Sequence, residues 1–280
     1  MKKVLIIGDT SRDKIKNTLK ELDSWLQKRV RTFPIDIVQA EKTHPLEGDF
    51  AIALGGDGTF LRVSRAVSPY GIPIIGVHLG LFGFLAELTP KDMYSYLDKI
   101  FRDEYKIDTR MLLKCRLERS GTVINESLGV NDAVISRASL SRLVSVKLFI
   151  DGEDVTTYSS DGLIVSTPLG STAHSLAAGG PILSPELDAF IISPICPHTL
   201  TNRPLVISGE SRVAMEVGSE GVGRGLTVDG QVYEELVPGD VVVVERSSTR
   251  LKLVNAGIRS FYTVLREKLS WGGSPRYGDS

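Results

Sequence analysis

Gly55-Gly56-Asp57-Gly58-Thr59 sets three glycines in four positions beside a carboxylate and a hydroxyl. Glycine removes the Cβ atoms that hold a phosphate or ribose away from the backbone, and the unpaired N–H groups of a helix that follows point at the same place. A negative ligand belongs there. Asp57 would oppose a bare phosphate, yet a carboxylate at that point suits a group that takes a proton from an attacking hydroxyl. The competing explanation is a tight strand-to-helix turn in which Asp57 or Thr59 caps the helix.

Two further stretches could do chemistry. Asn131-Asp132 interrupts the apolar run Gly129–Ile135, and polar groups at the end of a buried strand must find partners. Either the pair makes a local turn, or the amide reads a base edge while the carboxylate accepts from ribose hydroxyls. Ser166 to Ser175 is rich in hydroxyls. Thr172 or Ser171 serves as an N-cap on the simpler reading; with helix N–H groups beside them, the remaining hydroxyls make a second anion or ribose site. Other chemistries lack their signatures. No Gly-Lys-Ser/Thr triplet, G-x-G-x-x-G turn or nucleophile elbow occurs. His44, His78, His174 and His198 stand singly and Cys196-Pro197-His198 is an isolated pair, so no protein metal site is expected.

These stretches need elements to position them. The apolar run Phe50–Leu54 predicts a buried strand before the glycine turn, and Phe60–Val67 a helix after it. Lys3–Ile7 reads as a first strand, followed by a helix from about Arg12 to Arg29 that Ser11 caps. Ile35–Val38 and Pro73–Val77 read as further strands and Pro90–Ile100 as a short helix. Strands alternating with helices imply right-handed crossovers and an open, mostly parallel sheet, with the ligand crevice at the strands' carboxyl ends. In the loop that follows, Phe82, Phe84 and Leu85 are either core or, for one aromatic, a wall of a base pocket.

From about Ile107 short β-rich runs take over. They include Leu112–Leu117, Val130–Ser136, Val144–Ile150, Leu163–Ser166, Leu205–Ile207, Val213–Val217 and Val241–Glu245, with turns at Asp151-Gly152, Asp161-Gly162, Asp229-Gly230 and Pro238-Gly239. One convincing helix stands among them, Ala173 to Ala178, stopped by Gly179-Gly180-Pro181. The expected organisation is an α/β domain over 1–105 and a β-rich, β-sandwich-like domain over 106–255, with 256–280 returning to the first.

The chain's 280 residues allow two domains of ordinary size. Lys plus Arg at 33 against Asp plus Glu at 34 leaves a formal charge of -1, so no global basic field calls for nucleic acid. Two distant cysteines fit a reducing compartment, and the four apolar residues Val4–Ile7 are too few for a signal or membrane segment. The expected location is the cytoplasm, away from membranes.

Taken together, Gly55–Thr59, Asn131-Asp132 and Asp161–His174 resemble the three signature blocks of the NAD kinase family, in order. The likeness extends to Gly179–Leu183, Arg203–Ile207, Asp229-Gly230-Gln231 and Leu265–Leu269, and so covers nearly the whole chain. The first block alone is shared with diacylglycerol and sphingosine kinases; the later blocks are far more specific. The resemblance implies transfer of the γ-phosphoryl group of ATP, or of polyphosphate, to the 2′-hydroxyl of the adenosine ribose of NAD, with Mg²⁺ accompanying the nucleotide. Carried over, it makes Asp57 the general base, lines the phosphates with Gly55, Gly56, Gly58 and Thr59, and sends Arg62 to phosphate. It gives Asn131 and Asp132 the adenine or ribose of NAD, and has Phe84, Arg142, Asp161, Thr172, Ala173, His174, Ser175, Ala177 and Gln231 complete the pocket. It also implies a homodimer or homotetramer and a site in the cleft between two domains.

The chain departs from the family pattern at three positions. His174 stands where tyrosine is usual, Asp132 where glutamate is commoner, and Leu169 where Thr or Ser is frequent. A lipid kinase, or an NAD(P)-binding regulator without turnover, are the readings that compete with the implied one.

Overall fold

The computed structural model describes residues 2–80, 83–86, 88–137, 143–199, 201–219, 223–255, 257 and 260–271. Arg142 and Phe82, both singled out above, lie outside them. The chain divides into two units, one drawn from residues up to Asp108 and from Lys252 onward, the other from Thr109–Leu251.

In the first unit the elements run β1 Lys3–Gly8, α1 Asp13–Leu26, β2 Arg31–Asp36, α2 Ile37–Lys42, β3 Phe50–Leu54, α3 Asp57–Val67, β4 Ile74–Val77 and α4 Pro90–Phe101. Its pairs β1–β2, β1–β3 and β3–β4 are parallel: β1 lies between β2 (Lys3 opposite Arg31) and β3 (Val4 opposite Phe50), and β3 pairs with β4 (Ala51 opposite Ile74). The chain moves to one side of β1 to make β2, then returns across it to make β3 and β4. The sheet's switch point therefore lies between β1 and β3, and the carboxyl end of β3 is where Gly55 begins. Strands covered on both faces read as continuous apolar runs, as Phe50–Leu54 does. Ile15, Leu19, Leu22 and Leu26 form the buried stripe of α1, and Met93, Tyr96, Leu97 and Ile100 that of α4.

Two local expectations fail here. Ile35–Val38 is not a strand: β2 ends at Asp36, whose carboxylate accepts from the Val38 N–H (2.9 Å) and caps α2, so Ile37 and Val38 are helical. The same carboxylate accepts from the Thr10 N–H at 3.0 Å, tying the loop after β1 to the end of β2. Ser11 does not cap α1, because its hydroxyl donates to Asp9 Oδ1 at 2.5 Å and Arg12 occupies the cap position.

The second unit is antiparallel. It contains most of β5 Lys106–Arg119, β6 Thr122–Gly129, β7 Asp132–Arg137, β8 Val144–Ile150, β9 Glu153–Ser160, β10 Gly162–Ser166, α5 His174–Ala177, β11 Ala189–Ile195, β12 Leu205–Ser208, β13 Val213–Val217, β14 Arg224–Val228, β15 Val232–Leu236 and most of β16 Val241–Asn255. One sheet runs β12-β11-β10-β7-β14-β15; in the other layer β13 pairs with β8 and β16, β8 with β9, and β5 with β6 and β16. Alternate residues from both layers meet in one core, with Ala133, Ile135, Leu163, Val165, Phe190 and Ile192 facing Val144, Val146, Val213, Met215, Val242 and Val244. That is the β-rich sandwich the turn spacing predicts. The helix expected over Ala173 to Ala178 shrinks to the single turn α5, preceded by a 3-10 turn at Leu169–Thr172. The last residues of β16 belong to the first unit, where Leu253 pairs in parallel with Ile74; α6 Phe261–Leu269 follows, with Val264 and Leu265 buried.

Candidate active site

In the first unit β3 delivers the chain to Gly55, whose N–H donates to Val77 O (3.0 Å), and α3 starts directly at Asp57. The glycines have distinct reasons. A Cβ on Gly55 would come within 2.4 Å of Thr59 Oγ1, whereas one on Gly56 would meet nothing within 4 Å. Gly55 thus lets the turn close on Thr59, and Gly56 faces open space beside the first turn of α3. Gly56 and Gly58 are exposed; Asp57 and Thr59 are half-buried.

Asp57 is fixed by the loop after β4. Its Oδ2 accepts from the Phe84 N–H (2.9 Å), and its Oδ1 from the N–H groups of Leu85 and Ala86 (both 3.2 Å). Gly83 makes this approach possible, since a Cβ there would sit 1.9 Å from Asp57 Oδ1. Phe84 thereby contributes its backbone to the site, while its side chain is half-buried. Sequence reasoning weighed the aromatics of this loop as core or pocket wall and missed its N–H groups; the signal was a glycine-containing loop returning beside the glycine turn.

Arg62 pairs with a carboxylate of the neighbouring helix. Its Nε donates to Glu41 Oε1 at 2.8 Å, with Nη2 on Oε2 at 2.5 Å, so the guanidinium joins α3 to α2. Glu41 raises its already high pKa further, opposed by burial. A two-pronged Arg–carboxylate pair is geometrically demanding, and here it joins two helices; the phosphate role expected of Arg62 from the sequence stays a proposal.

In the second unit Asn131 and Asp132 are 9% and 4% exposed. Asn131 Oδ1 is buried and accepts no hydrogen bond, an acceptor waiting for a donor. The backbone around it is clamped from two sides. On one, Asp229 accepts from the N–H groups of Val130 (3.0 Å), Asn131 (2.7 Å) and Asp132 (3.3 Å). On the other, Thr167 Oγ1 donates to Val130 O (2.6 Å), and the Thr167 N–H and Ser166 Oγ donate to Asn131 O at 2.8 and 3.1 Å. Gly170 completes the clamp, because a Cβ on it would lie 2.2 Å from Asn131 O. Burial, with the Asp229 charge as a smaller contribution, pushes the Asp132 carboxyl up to about 7.

The hydroxyl-rich stretch therefore acts mainly on the protein itself. Ser171 Oγ donates to Pro168 O (2.6 Å) and accepts from the Leu183 N–H (3.1 Å), Thr172 Oγ1 donates to Leu169 O (3.3 Å), and neither caps α5. Ser175, fully buried, sets its Oγ 3.1 Å from Ser193 Oγ. The helix is a single turn and these hydroxyls are engaged within the protein, so the second anion or ribose site expected from the sequence stays a proposal. Asp161 holds Arg137 two-pronged, Nε to Oδ1 at 3.0 Å and Nη2 to Oδ2 at 3.1 Å. Thr172 and Ala173 are half-buried, while His174, Ala177 and Gln231 are exposed. Asp229 and Arg137 are the partners sequence reasoning gave no role; Asp229-Gly230 signalled only a turn, and both residues adopt the positive φ (52° and 63°) of a tight hairpin.

Among the described residues no group of three or more His, Cys, Asp or Glu side chains could hold a metal ion. Cys115 is buried, which pushes its thiol up to about 12, so it behaves as a core residue.

Residues 7–105 match the ATP-NAD kinase N-terminal domain and residues 130–256 the ATP-NAD kinase C-terminal domain. The chain is 41% identical to an NAD kinase of Koribacter versatilis, covering 97% of this chain and 99% of that one, and 39% identical to one of Geobacter sulfurreducens at the same coverages. Yeast NADH kinase, solved with NADH, superposes with a TM-score of 0.86 at 26% identity over 99% of this chain and 90% of its own. An NAD kinase from Archaeoglobus fulgidus, solved with ATP, shares the fold at a TM-score of 0.76 and 23% identity, covering 94% of this chain and 98% of that one.

Proposed function

The chain belongs to the ATP-NAD kinase family, and from that membership we propose how its residues carry the transfer of the γ-phosphoryl group of ATP to the adenosine 2′-hydroxyl of NAD, giving NADP. The observation that carries the mechanism is the seating of Asp57 on three backbone N–H groups at the start of α3. A carboxylate oxygen offers about two acceptor sites. Oδ1 accepts two N–H bonds and Oδ2 one, so Oδ2 keeps a site for the proton of the acceptor hydroxyl. Phosphoryl transfer asks the protein mainly for alignment and charge neutralisation. The loop at Phe84–Ala86 supplies alignment of the base, and the exposed backbone of Gly56 and Gly58 admits phosphate oxygens to the amino end of α3.

Recognition of the dinucleotide falls to Asn131 and Asp132. The buried, unpartnered Asn131 Oδ1 matches the exocyclic amine of adenine, and the Asp132 carboxylate matches ribose hydroxyls. Thr172, Ala173, His174, Ala177, Gln231 and the Arg137–Asp161 pair line the remainder; Ser175 contributes backbone only. Magnesium suits a donor set of this kind when it arrives with the nucleotide: phosphates and water supply most ligands, and no all-protein cage is needed. It would neutralise phosphate charge. We further place the protein in the cytoplasm as a homodimer or homotetramer; among the described residues no helix is long and apolar enough to cross a membrane.

The test is an assay of NAD with Mg-ATP, and separately with polyphosphate, reading NADP through an NADP-specific dehydrogenase. NADP formation is expected with ATP. Tight NAD binding without product from either donor would make the chain a regulator and overturn the reading.

A further inference from the structure

Asp229 touches neither proposed reaction partner in the scheme above, yet it is the most heavily bonded carboxylate near the candidate dinucleotide site. It is 8% exposed and stands at φ 52°, in a hairpin between β14 and β15. That hairpin turns it back over the start of β7. Its oxygens accept from the N–H groups of three consecutive residues, and its own N–H donates to Asp132 O at 2.9 Å. A carboxylate so placed fixes the direction of every bond from Val130 to Asp132. It also puts a second acid against Asp132, in surroundings where two adjacent negative charges are costly.

We propose that Asp229 is a positioning residue for NAD recognition: it holds the Asn131 amide and the Asp132 carboxyl in their binding geometry and couples uptake of the dinucleotide to release of a proton from Asp132. The inference rests on the reading that Asn131 and Asp132 receive the adenosine of NAD. Of the two acids, Asp229 is the one with backbone N–H donors on both oxygens. Asp132 is then the one that carries a proton while the site is empty, consistent with its carboxyl being pushed up to about 7. On β10, which flanks β7 on the other side, the residue opposite Asp132 is the uncharged Ser166, followed by Thr167; the ion pair of that strand, Arg137 with Asp161, lies at its far end. Among the described residues Asp229 is therefore the charge that faces Asp132. A hydrogen bond donated by a ribose hydroxyl to Asp132 is stronger when the carboxyl is ionised, so binding favours release of the proton.

Calorimetry of NAD binding to the intact wild-type protein, in buffers of different ionisation enthalpy, tests the coupling without a variant. Near pH 6.5, roughly three-quarters of a proton should be released per NAD bound, and affinity should rise about tenfold from pH 6 to pH 8, as titration near 7 requires. No release overturns the proposal. Asp229→Asn should raise the KM for NAD at least about tenfold, leave the KM for ATP within about twofold, and cut the affinity gain between pH 6 and pH 8 to about twofold. A folded Asp229→Asn protein that keeps the tenfold gain overturns the role given to Asp229, whatever its KM. Asp132→Asn tests the underlying reading: proton release should vanish, and its persistence would show that Asp132 is not the ribose acceptor, a failure distinct from that of Asp229.

Discussion

A single carboxylate can be tested for its chemistry apart from its fold. Asp57→Asn keeps the size of the side chain and removes the acceptor of the sugar proton. NAD binding should persist while kcat falls at least ~100-fold, as for loss of a general base; pre-steady-state measurement of NADP formation reads it. Asp132 predicts a pH effect on stability. Its folded value of about 7 lies above the unfolded 3.8, so the folded chain binds the extra proton between them. Stability therefore falls as pH rises from about 4 to about 7 and is level above that, by on the order of a few kcal/mol. Asp132→Asn removes the penalty, so urea melts should show the wild type losing ground to the variant between pH 5 and pH 8. The places of Asp57, Asn131 and Asp132 in the fold were legible in the sequence because each is a polar group where the surrounding pattern calls for a strand end or a bare turn. Arg62 and Ser175 were not, because their partners Glu41 and Ser193 lie 21 and 18 positions away and residue type alone does not name a partner.

Among the elements, the loop at Gly83–Ala86 acts on the reaction through backbone alone. Gly83→Ala would drive a Cβ to 1.9 Å from Asp57 Oδ1, against a carboxylate already held by three donors, so the carboxylate must turn away. The expected result is a kcat reduced at least ~100-fold with NAD affinity retained, checked by kcat alongside equilibrium binding. Normal turnover would mean that the loop does not set the position of the base. The periodicity of α1, α3 and α4 and the buried runs of β1 and β3 were readable, since each element's burial follows from its own residues. Elements set by partners were harder to read. The edge strand β6, with Val123 and Ile124 exposed, has no strong alternation of its own. The Asp36 cap turned a β-branched segment into α2, and the clamp around Asn131 engages the hydroxyls of Ser166 and Thr167.

On the scale of the chain, each unit has its own apolar core, and the first is completed by residues from the far end of the sequence. Tyr96 Oη donates to Val254 O at 2.5 Å, Asn255 Nδ2 donates to Asp108 Oδ2 at 2.9 Å, and Val254, Val264 and Leu265 are buried. Burying three such side chains contributes ~5 kcal/mol or more, comparable with the net stability of a whole domain. A chain stopped after Leu251 should therefore be cut by protease within residues 2–108 at the rate of an unfolded segment; protection there equal to that of the intact protein would refute this. The return of β16 to β4 also fixes a timetable for the ribosome. Domains ordinarily mature in the order in which they are translated. Here residues 109–251 leave the exit tunnel with all their own strands already made, whereas the portion synthesised first waits for Leu253 and α6, and so what is born first is finished last.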